Sequence, residues 1–279
     1  MSTPTTTRRP RPDRSTSMST VAIGAARGRL ELREFFRRKE AVVFTFSLPA
    51  FILVLLGSVF SGDMVDAGVS MSQLFTASMV GAGILSTSFI TLGVGVATDR
   101  EDGTLKRLRG TPMPAAAYFL GKLVLVAVAS LAEVALLLAV GVLLFDVELP
   151  TDPARWLTFA WVFALGVVSC SLLGIAASGL AKSSRSAPAV MNLPYIGLQF
   201  ISGVFINPIV ALPAAMVGVA SFFPLKWICQ GMRSVFLPDG ATALEMAGAW
   251  EHGLTALVLG AWCVVGLALC LATFRWTNK

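Results

Sequence analysis

Residues 121–145 read GKLVLVAVASLAEVALLLAVGVLLF, an apolar run in which eight leucines and six valines surround one acidic residue, Glu133. A transmembrane helix needs about 20 consecutive, mostly apolar residues. Further runs of this kind lie at 41–60, 74–98, 156–181, 188–206 and 253–274. The sequence therefore predicts an all-α membrane protein with six transmembrane helices.

The overall composition agrees with this fold class. Hydrophobic residues make up 55% of the 279 residues and charged residues 14%, and the mean hydropathy is +0.75. A soluble domain averages about 25% charged residues, so this chain has too few to cover a water-facing surface. The four cysteines form no CxxC pair, and there is one histidine. These counts suggest neither a disulfide framework nor a metal site.

The basic residues predict the orientation. Of the 22 Lys and Arg residues, 19 fall in segments on one side of the predicted spans. Because positive loops stay in the cytoplasm, both termini are expected there, which requires an even number of spans. Residues 207–225 are apolar but broken by three prolines. They are expected to form a re-entrant hairpin on the outer side, covered by protein or by a wet cavity.

Three units follow along the chain. Residues 1–20, rich in Ser, Thr, Pro and Arg, predict a disordered cytoplasmic tail, and Met18 is an alternative start. Residues 21–40 set Leu30, Phe35 and Phe36 among basic residues, which is typical of an amphipathic helix at the headgroup level. The transmembrane domain occupies 41–279.

The loop at 99–114 reads DREDGTLKRLRGTPMP. Thr104 is expected to cap a short helix that carries Leu105 and Leu108 on one face, and Pro112 is expected to end it. About eight residues would make a helix of roughly 12 Å, which suits a rigid contact with a cytoplasmic partner. An ordinary positive loop would explain the charges but not the order of the other residues.

At this loop the chain resembles the permeases of type-2 ABC exporters, especially the daunorubicin- and doxorubicin-resistance-like group. The matching residues of the first block are Glu101, Gly103, Thr104, Leu108, Thr111, Pro112, Gly121 and Lys122. The second block comprises ISGVF at 201–205, Leu212, Pro213, Pro224 and Arg233. One departure is Phe223, where the family usually has Asn.

The resemblance implies a permease that dimerises with a second copy or a paralogue and is driven by a separate cytoplasmic ATPase. It assigns transmission of force to Glu101, Gly103 and Thr104, and Leu105 and Leu108 are the expected apolar contact. The chain has no GxxxxGK[ST] phosphate loop. No cofactor is therefore expected on this chain, and ATP and Mg would bind the partner subunit.

A polar stripe marks the fifth predicted span, where Asn192, Tyr195, Gln199 and Ser202 recur at helical spacing. Thr87 and Thr91 form a weaker stripe on the second span. Because unpaired polar groups are costly in hydrocarbon, these faces are expected to meet another protomer or a transport path. Structural hydrogen bonding between helices is the alternative.

Glu133 is the third polar feature within a span. A carboxylate at mid-membrane costs about 2.5–3.5 kcal/mol, which the many leucines and valines of the span outweigh. Glu133 is expected to be a paired or protonated structural group. A site for a cationic substrate or a coupling proton is the alternative.

The function expected from these features is export of a lipophilic drug-like or lipid-like molecule across the cytoplasmic membrane. Its partners would be the ATPase, a second permease subunit, membrane lipids and the small-molecule substrate, and no nucleic acid. A polysaccharide, glycolipid or peptide is an alternative cargo. A membrane-embedded enzyme of lipid metabolism is a remote alternative, since it would need clustered acidic, His or Cys residues that the sequence does not show.

Overall fold

A computed structural model describes residues 19–60, 62, 64–65, 68–111 and 113–273. The remaining residues include 1–18 of the predicted tail and Pro112, and expectations about them lie outside the described part. The described helices are α1 (Thr20–Arg37), α2 (Lys39–Val59), α3 (Met71–Leu85), α4 (Leu92–Glu101), α5 (Thr104–Arg109), α6 (Ala115–Phe145), α7 (Pro153–Ser178), α8 (Ala187–Ile201), α9 (Ala214–Ala220), α10 (Pro224–Phe236) and α11 (His252–Thr273). The all-α fold class is confirmed. The sequence did not predict the two-residue strands β1 (Met64–Val65) and β2 (Val69–Ser70), which pair antiparallel.

Long apolar helices dominate the fold. Within the described part of the chain, five are long and apolar enough to cross a membrane: Val42–Val59 in α2, Met71–Glu101, Ala115–Phe145, Pro153–Ser178 and His252–Thr273. The second of these runs from α3 through a π-helical segment, Ser86–Thr91, into α4. Each corresponds to a run predicted from the sequence, so the chain is a multi-pass membrane protein.

The remaining predicted span, 188–206, is shorter as a helix than its apolar run. Helix α8 has 15 residues with Pro194 inside, and Gly203 after it has a φ of +71°. At 1.5 Å per residue, α8 is about 22 Å long, less than the roughly 30 Å hydrocarbon core. The count of six spans therefore stays a prediction.

Helix α1 matches the predicted amphipathic segment and packs along α6. The Ser19 side chain caps it by accepting a hydrogen bond from Ala22 N at 3.2 Å. Two glycines allow the close approach, because a Cβ at Gly24 or at Gly28 would lie 2.7 Å from the Cβ of a residue on α6. The expected position at the headgroup level stays a prediction, and Leu30 and Phe36 on α1 are exposed.

The segment predicted as a hairpin consists of short pieces separated by prolines. After the 3-10 turn Ile209–Ala211 and helix α9, Pro224 begins helix α10. All of α10 is buried, and it packs against α3, α7 and α11. The core of the bundle is thus built around α3 and α10.

Candidate functional site

The second long helix breaks sharply at the predicted coupling loop. Helix α4 ends at Glu101, and Gly103 adopts a left-handed conformation with a φ of +72° before α5 begins. Glycine adopts this conformation without the steric cost that a Cβ brings. The short helix expected in this loop is therefore present.

The prediction that Thr104 caps α5 is wrong. Gly103 occupies the cap position and makes no side-chain bond, because the turn needs a left-handed residue there. Thr104 is the first helical residue, and its hydroxyl oxygen accepts a hydrogen bond from Arg107 NH2 at 3.2 Å. The helix has six residues, about 9 Å in length, which is shorter than expected.

The two leucines of α5 differ in exposure. Leu105 is fully buried by the chain itself, and Leu108 is partly exposed. The basic residues Lys106, Arg107 and Arg109 are exposed around them. Leu105 thus anchors α5 to the chain, and Leu108 has apolar surface to offer a partner.

A buried ionic cluster, which we call the inner cluster, joins α4 to α1 and α6. Lys122 Nζ lies 2.8 Å from Asp99 Oδ2 and 2.8 Å from Glu31 Oε2. The Tyr118 hydroxyl donates to Asp99 Oδ2 at 2.8 Å, and Arg27 NH2 lies 2.6 Å from Glu31 Oε1. Lys122 is 5% exposed and Glu31 6% exposed. The cluster therefore ties the second span to the amphipathic helix and the third span in a largely dry environment.

The two residues after Asp99 form hydrogen bonds to other parts of the bundle. Arg100 donates to the backbone oxygen of Ser178 at 3.1 Å and to its hydroxyl at 3.0 Å, at the end of α7. The Glu101 carboxylate accepts a hydrogen bond from the backbone N–H of Ser184, in the connection from α7 to α8. Three consecutive residues thus bind different neighbouring parts of the bundle.

Sequence reasoning singled out Glu101 here but missed most of the inner cluster. The sequence predicts Lys122 only as a motif residue, and it does not predict Glu31, Asp99 or Tyr118 as its partners. A local signal was present, because Tyr118 and Lys122 are four residues apart, as are Arg27 and Glu31, and such pairs share a helix face. Which faces meet depends on the helix packing.

The polar stripe of α8 lies largely inside the chain. Gln199 is 5% exposed and Ser202 0% exposed. The Tyr195 hydroxyl lies 3.5 Å from the backbone oxygen of Ala82 on α3, and Asn192 Nδ2 donates to Pro188 O of its own helix at 2.9 Å. The structure therefore brings part of this stripe to the second span, where Thr87 is buried and Thr91 is partly buried.

Glu133 is fully buried between α6 and the second span. Its Oε2 accepts a hydrogen bond from the Thr87 hydroxyl in the π-helical segment, and a Cβ at Gly83 would lie 3.0 Å from its Oε1. Oε1 has no hydrogen-bond partner among the described residues. This placement pairs Glu133 with a hydroxyl of the neighbouring span, and its role stays a prediction.

A second ionic cluster, the outer cluster, is formed by α10 and the loop that follows it. Arg233 Nε lies 2.5 Å from Glu245 Oε1, and Arg233 NH1 donates to Ser78 Oγ and to Gly203 O, each at 3.2 Å. Nearby, Lys226 Nζ lies 3.5 Å from Glu251 Oε2. Lys226 and Arg233 are among the three basic residues outside the segments predicted to be cytoplasmic, and both are buried.

Phe223 stands where the family usually has Asn, and the structure shows what its side chain contacts. It precedes α10 at the N-cap position and makes no side-chain capping bond. Its ring instead stacks on Trp262 of α11, with centroids 6.3 Å apart and planes at 12°. At this position the chain therefore has an aromatic contact between helices in place of a polar cap.

These features define a multi-pass α-helical membrane protein whose second span ends in three residues bonded to different neighbours and is followed by a short helix with exposed basic residues. Residues 28–237 match the family described as ABC-2 type transporter, and the chain belongs to that family. It is therefore a membrane transport subunit of an ABC transporter, not a catalytic enzyme. Permeases of this family work with a cytoplasmic ATPase subunit.

Two distant relatives agree with the family. The chain is 21% identical over 194 residues to the putative transport permease YvfS of Bacillus subtilis (strain 168), covering 70% of this chain and 77% of the relative. It is 20% identical over 161 residues to the probable multidrug ABC transporter permease YbhR of Escherichia coli (strain K12), covering 58% of this chain. The chain spans 43% of the length of that second relative.

Proposed function

We propose that this chain is the permease subunit of an ATP-driven exporter of the daunorubicin-resistance-like group, with both termini in the cytoplasm. It moves a lipophilic drug-like or lipid-like molecule out across the cytoplasmic membrane, while a separate subunit hydrolyses ATP. The observation that carries the proposal is the bonding of Asp99, Arg100 and Glu101 to different parts of the bundle.

In this proposal α5 receives force from the ATPase. Leu108 supplies the apolar contact, and the exposed basic residues beside it pair with acidic groups of the partner. Movement of α5 is transmitted through Gly103 to α4. The inner cluster then displaces α1 and α6, and Arg100 and Glu101 displace the end of α7 and the start of α8.

The substrate would move between the second and fifth spans at the axis of a permease dimer. Thr87, Thr91, Asn192, Tyr195, Gln199 and Ser202 are the proposed polar groups along this path or at the dimer face. Alternation between inward-open and outward-open states transports the molecule only because its affinity differs between them.

A second permease subunit would pack on the exposed face of α8. Leu193, Ile196 and Phe200 are 79%, 48% and 48% exposed, and their spacing places them on one helix face with Gly197. A Cβ at Gly197 would meet no atom within 4 Å, so this face has room for a close neighbour. Glu133 in turn holds the π-helical segment against α6.

Two observations favour a lipophilic cargo over a glycan or a peptide. The long helices are mostly aliphatic, whereas a glycan channel would need polar and aromatic lining. The E. coli relative is described as a multidrug permease, and the same class of cargo is proposed here.

Glu101→Ala tests the role of the loop. The variant, reconstituted with its ATPase subunit, is expected to keep its thermal stability and its assembly but to lose at least tenfold in substrate-stimulated ATP hydrolysis and export. The reason is that the carboxylate no longer holds the α7–α8 connection. Asp102→Ala is the matched control, since Asp102 is the next residue and makes no ion pair with another described residue.

Normal export by Glu101→Ala would refute this role. Labelling of a cysteine introduced at 106 with a membrane-impermeant reagent from outside the cell would refute the orientation. The two results are distinct, because the first measures coupling and the second measures only topology.

A further inference from the structure

Helix α1 carries a row of arginines on the side that faces away from the bundle. The residues that this helix buries are Gly24, Gly28, Glu31 and Phe35. Arg33 stands two positions from Glu31 and two from Phe35, which at about 100° per residue places it on the opposite side of the helix. Arg29 and Arg37 lie about one turn before and after it, and all three are exposed. We call Arg29, Arg33 and Arg37 the arginine stripe.

The arginine stripe lacks the carboxylate partners that two neighbouring arginines have. Arg27 NH2 lies 2.6 Å from Glu31 Oε1, and Arg38 NH2 pairs with Glu34 Oε1. No residue of the stripe forms an ion pair with another residue in the described part of the chain. Three guanidinium groups, on residues spaced about 6 Å apart along the helix axis, therefore form an uncompensated positive surface.

The arginine stripe leads directly into the first span. The apolar stretch of α2 begins at Val42, five residues after Arg37. Five helical residues extend about 7.5 Å, which is comparable with the headgroup layer of about 5–8 Å on each side of a bilayer. Leu30 and Phe36 lie on the two sides of the stripe and are 56% and 46% exposed. Apolar side chains beside basic ones are typical of a helix in the membrane interface.

We infer that the arginine stripe binds the headgroup phosphates of anionic phospholipids. A guanidinium group offers two parallel N–H donors to a phosphate, and an anionic lipid has no cation of its own beside that phosphate. Each basic residue next to a membrane span strengthens binding to an anionic surface about fivefold.

An acidic face of a protein partner is the competing occupant of the arginine stripe. The lipid is favoured because the stripe adjoins a span and because Leu30 and Phe36 beside it can enter the interface. The inference is independent of the cargo, of the direction of transport and of the coupling loop.

Native mass spectrometry of the full chain, without its ATPase subunit, measures this preference. The chain in detergent micelles is titrated with phosphatidylglycerol or with phosphatidylethanolamine of the same acyl chains, so that only the headgroups differ. The association constant of phosphatidylglycerol is expected to be at least about tenfold higher. The ratio of the two constants should fall as salt is raised, because salt screens exposed charges.

Two triple variants separate the arginine stripe from net charge. The stripe variant carries Arg29→Gln, Arg33→Gln and Arg37→Gln. Its preference for phosphatidylglycerol is expected to fall to about twofold or less, and its melting temperature in phosphatidylcholine nanodiscs should stay unchanged, since all three side chains are exposed. The matched control removes three exposed charges from α5 through Lys106→Gln, Arg107→Gln and Arg109→Gln, and it should keep the tenfold preference.

Two further variants guard against misfolding of the triple stripe variant. Arg33→Gln alone is expected to lower the preference about fivefold. Replacement of all three stripe arginines by lysine should retain most of the preference, because an ammonium still pairs with phosphate as a point charge.

Three outcomes would overturn the inference. The first is equal binding of the two lipids by the unmodified chain. The second is an equal loss of preference in the stripe variant and the α5 control, because net charge alone would then explain the binding. The third is a stripe variant that keeps its lipid preference but no longer assembles with the ATPase subunit, because the arginines would then bind a protein.

Discussion

The inner and outer clusters use similar residues but connect the chain differently. The inner cluster joins Lys122 to Glu31, 91 positions apart in sequence, and draws three helices together. The ion pair of the outer cluster joins Arg233 to Glu245, only 12 positions apart, and Arg233 also donates to Ser78 on α3 and to Gly203 after α8. The side chains of Arg233 and Glu245 are 2% and 1% exposed, whereas the side chain of Asp99 in the inner cluster is 20% exposed.

The chemistry of the two cations matches this difference. The planar guanidinium of Arg233 has fixed donor directions and reaches Glu245, Ser78 and Gly203 at once, so it locks one arrangement. The ammonium of Lys122 is a point charge on a flexible stem between two carboxylates, and it can keep one partner while the other moves. In the proposed mechanism, the difference means that the end of the bundle with Arg233 is expected to stay rigid and the end with Lys122 to transmit movement.

The largest expected loss of folding stability follows from replacing Arg233 in the outer cluster. Arg233→Met leaves the Glu245 carboxylate buried without its cation, and the free energy of unfolding in detergent should fall by about 3–5 kcal/mol. Thermal and chemical unfolding followed by circular dichroism would measure this loss. The double variant Arg233→Met with Glu245→Leu should recover most of it, because no buried charge is then left unpaired. If the double variant were as unstable as Arg233→Met, the loss of stability would not come from an unpaired Glu245 carboxylate.

Lys122→Met tests the movable end. The loss of stability is expected to be smaller, about 2–3 kcal/mol, because Asp99 is partly exposed and can regain water. ATP hydrolysis by the assembled transporter should respond less to substrate, since the ionic link from α4 to α1 through Lys122 is lost and the Tyr118 hydrogen bond to Asp99 still joins α6 to α4. Lys122→Arg is the control that keeps the charge. Coupling that survives Lys122→Met would show that the inner cluster is as static as the outer one.

The smallest effect on stability is expected at the joint between α4 and α5. Gly103→Ala forces a side chain into the left-handed region, at a cost of about 1–2 kcal/mol. Gly110 has a φ of −79°, so Gly110→Ala is a matched control in the same loop with little strain. Gly103→Ala should reduce coupling while leaving the inner cluster intact, so that adding Lys122→Met should lower the stability of Gly103→Ala by as much as it lowers that of the unmodified chain. Equal coupling in the two alanine variants would contradict a role of the Gly103 turn in transmitting movement from α5 to α4.

The elements that were predictable are those with local causes. The apolar runs at 41–60 and 121–145 are long enough for a bilayer span, and each lies in one long helix. The amphipathic segment at 21–40 became α1 because its apolar residues recur at helical spacing. The presence of a short helix after Glu101 was also predictable from the order of residues. The capping role given to Thr104 failed because the left-handed turn at Gly103 decides where α5 begins.

The sequence by itself determined that this chain lies in a membrane, where its helices run, and which loop carries the family's motif, since length, apolarity and residue order act locally. Only the tertiary structure decided that Lys122 meets Glu31 and Asp99 and that Arg233 is buried against Glu245. The physical reason is that a buried charge or hydroxyl is defined by the neighbours that surround it. Those neighbours come from helices whose relative rotation and depth no single stretch of sequence encodes.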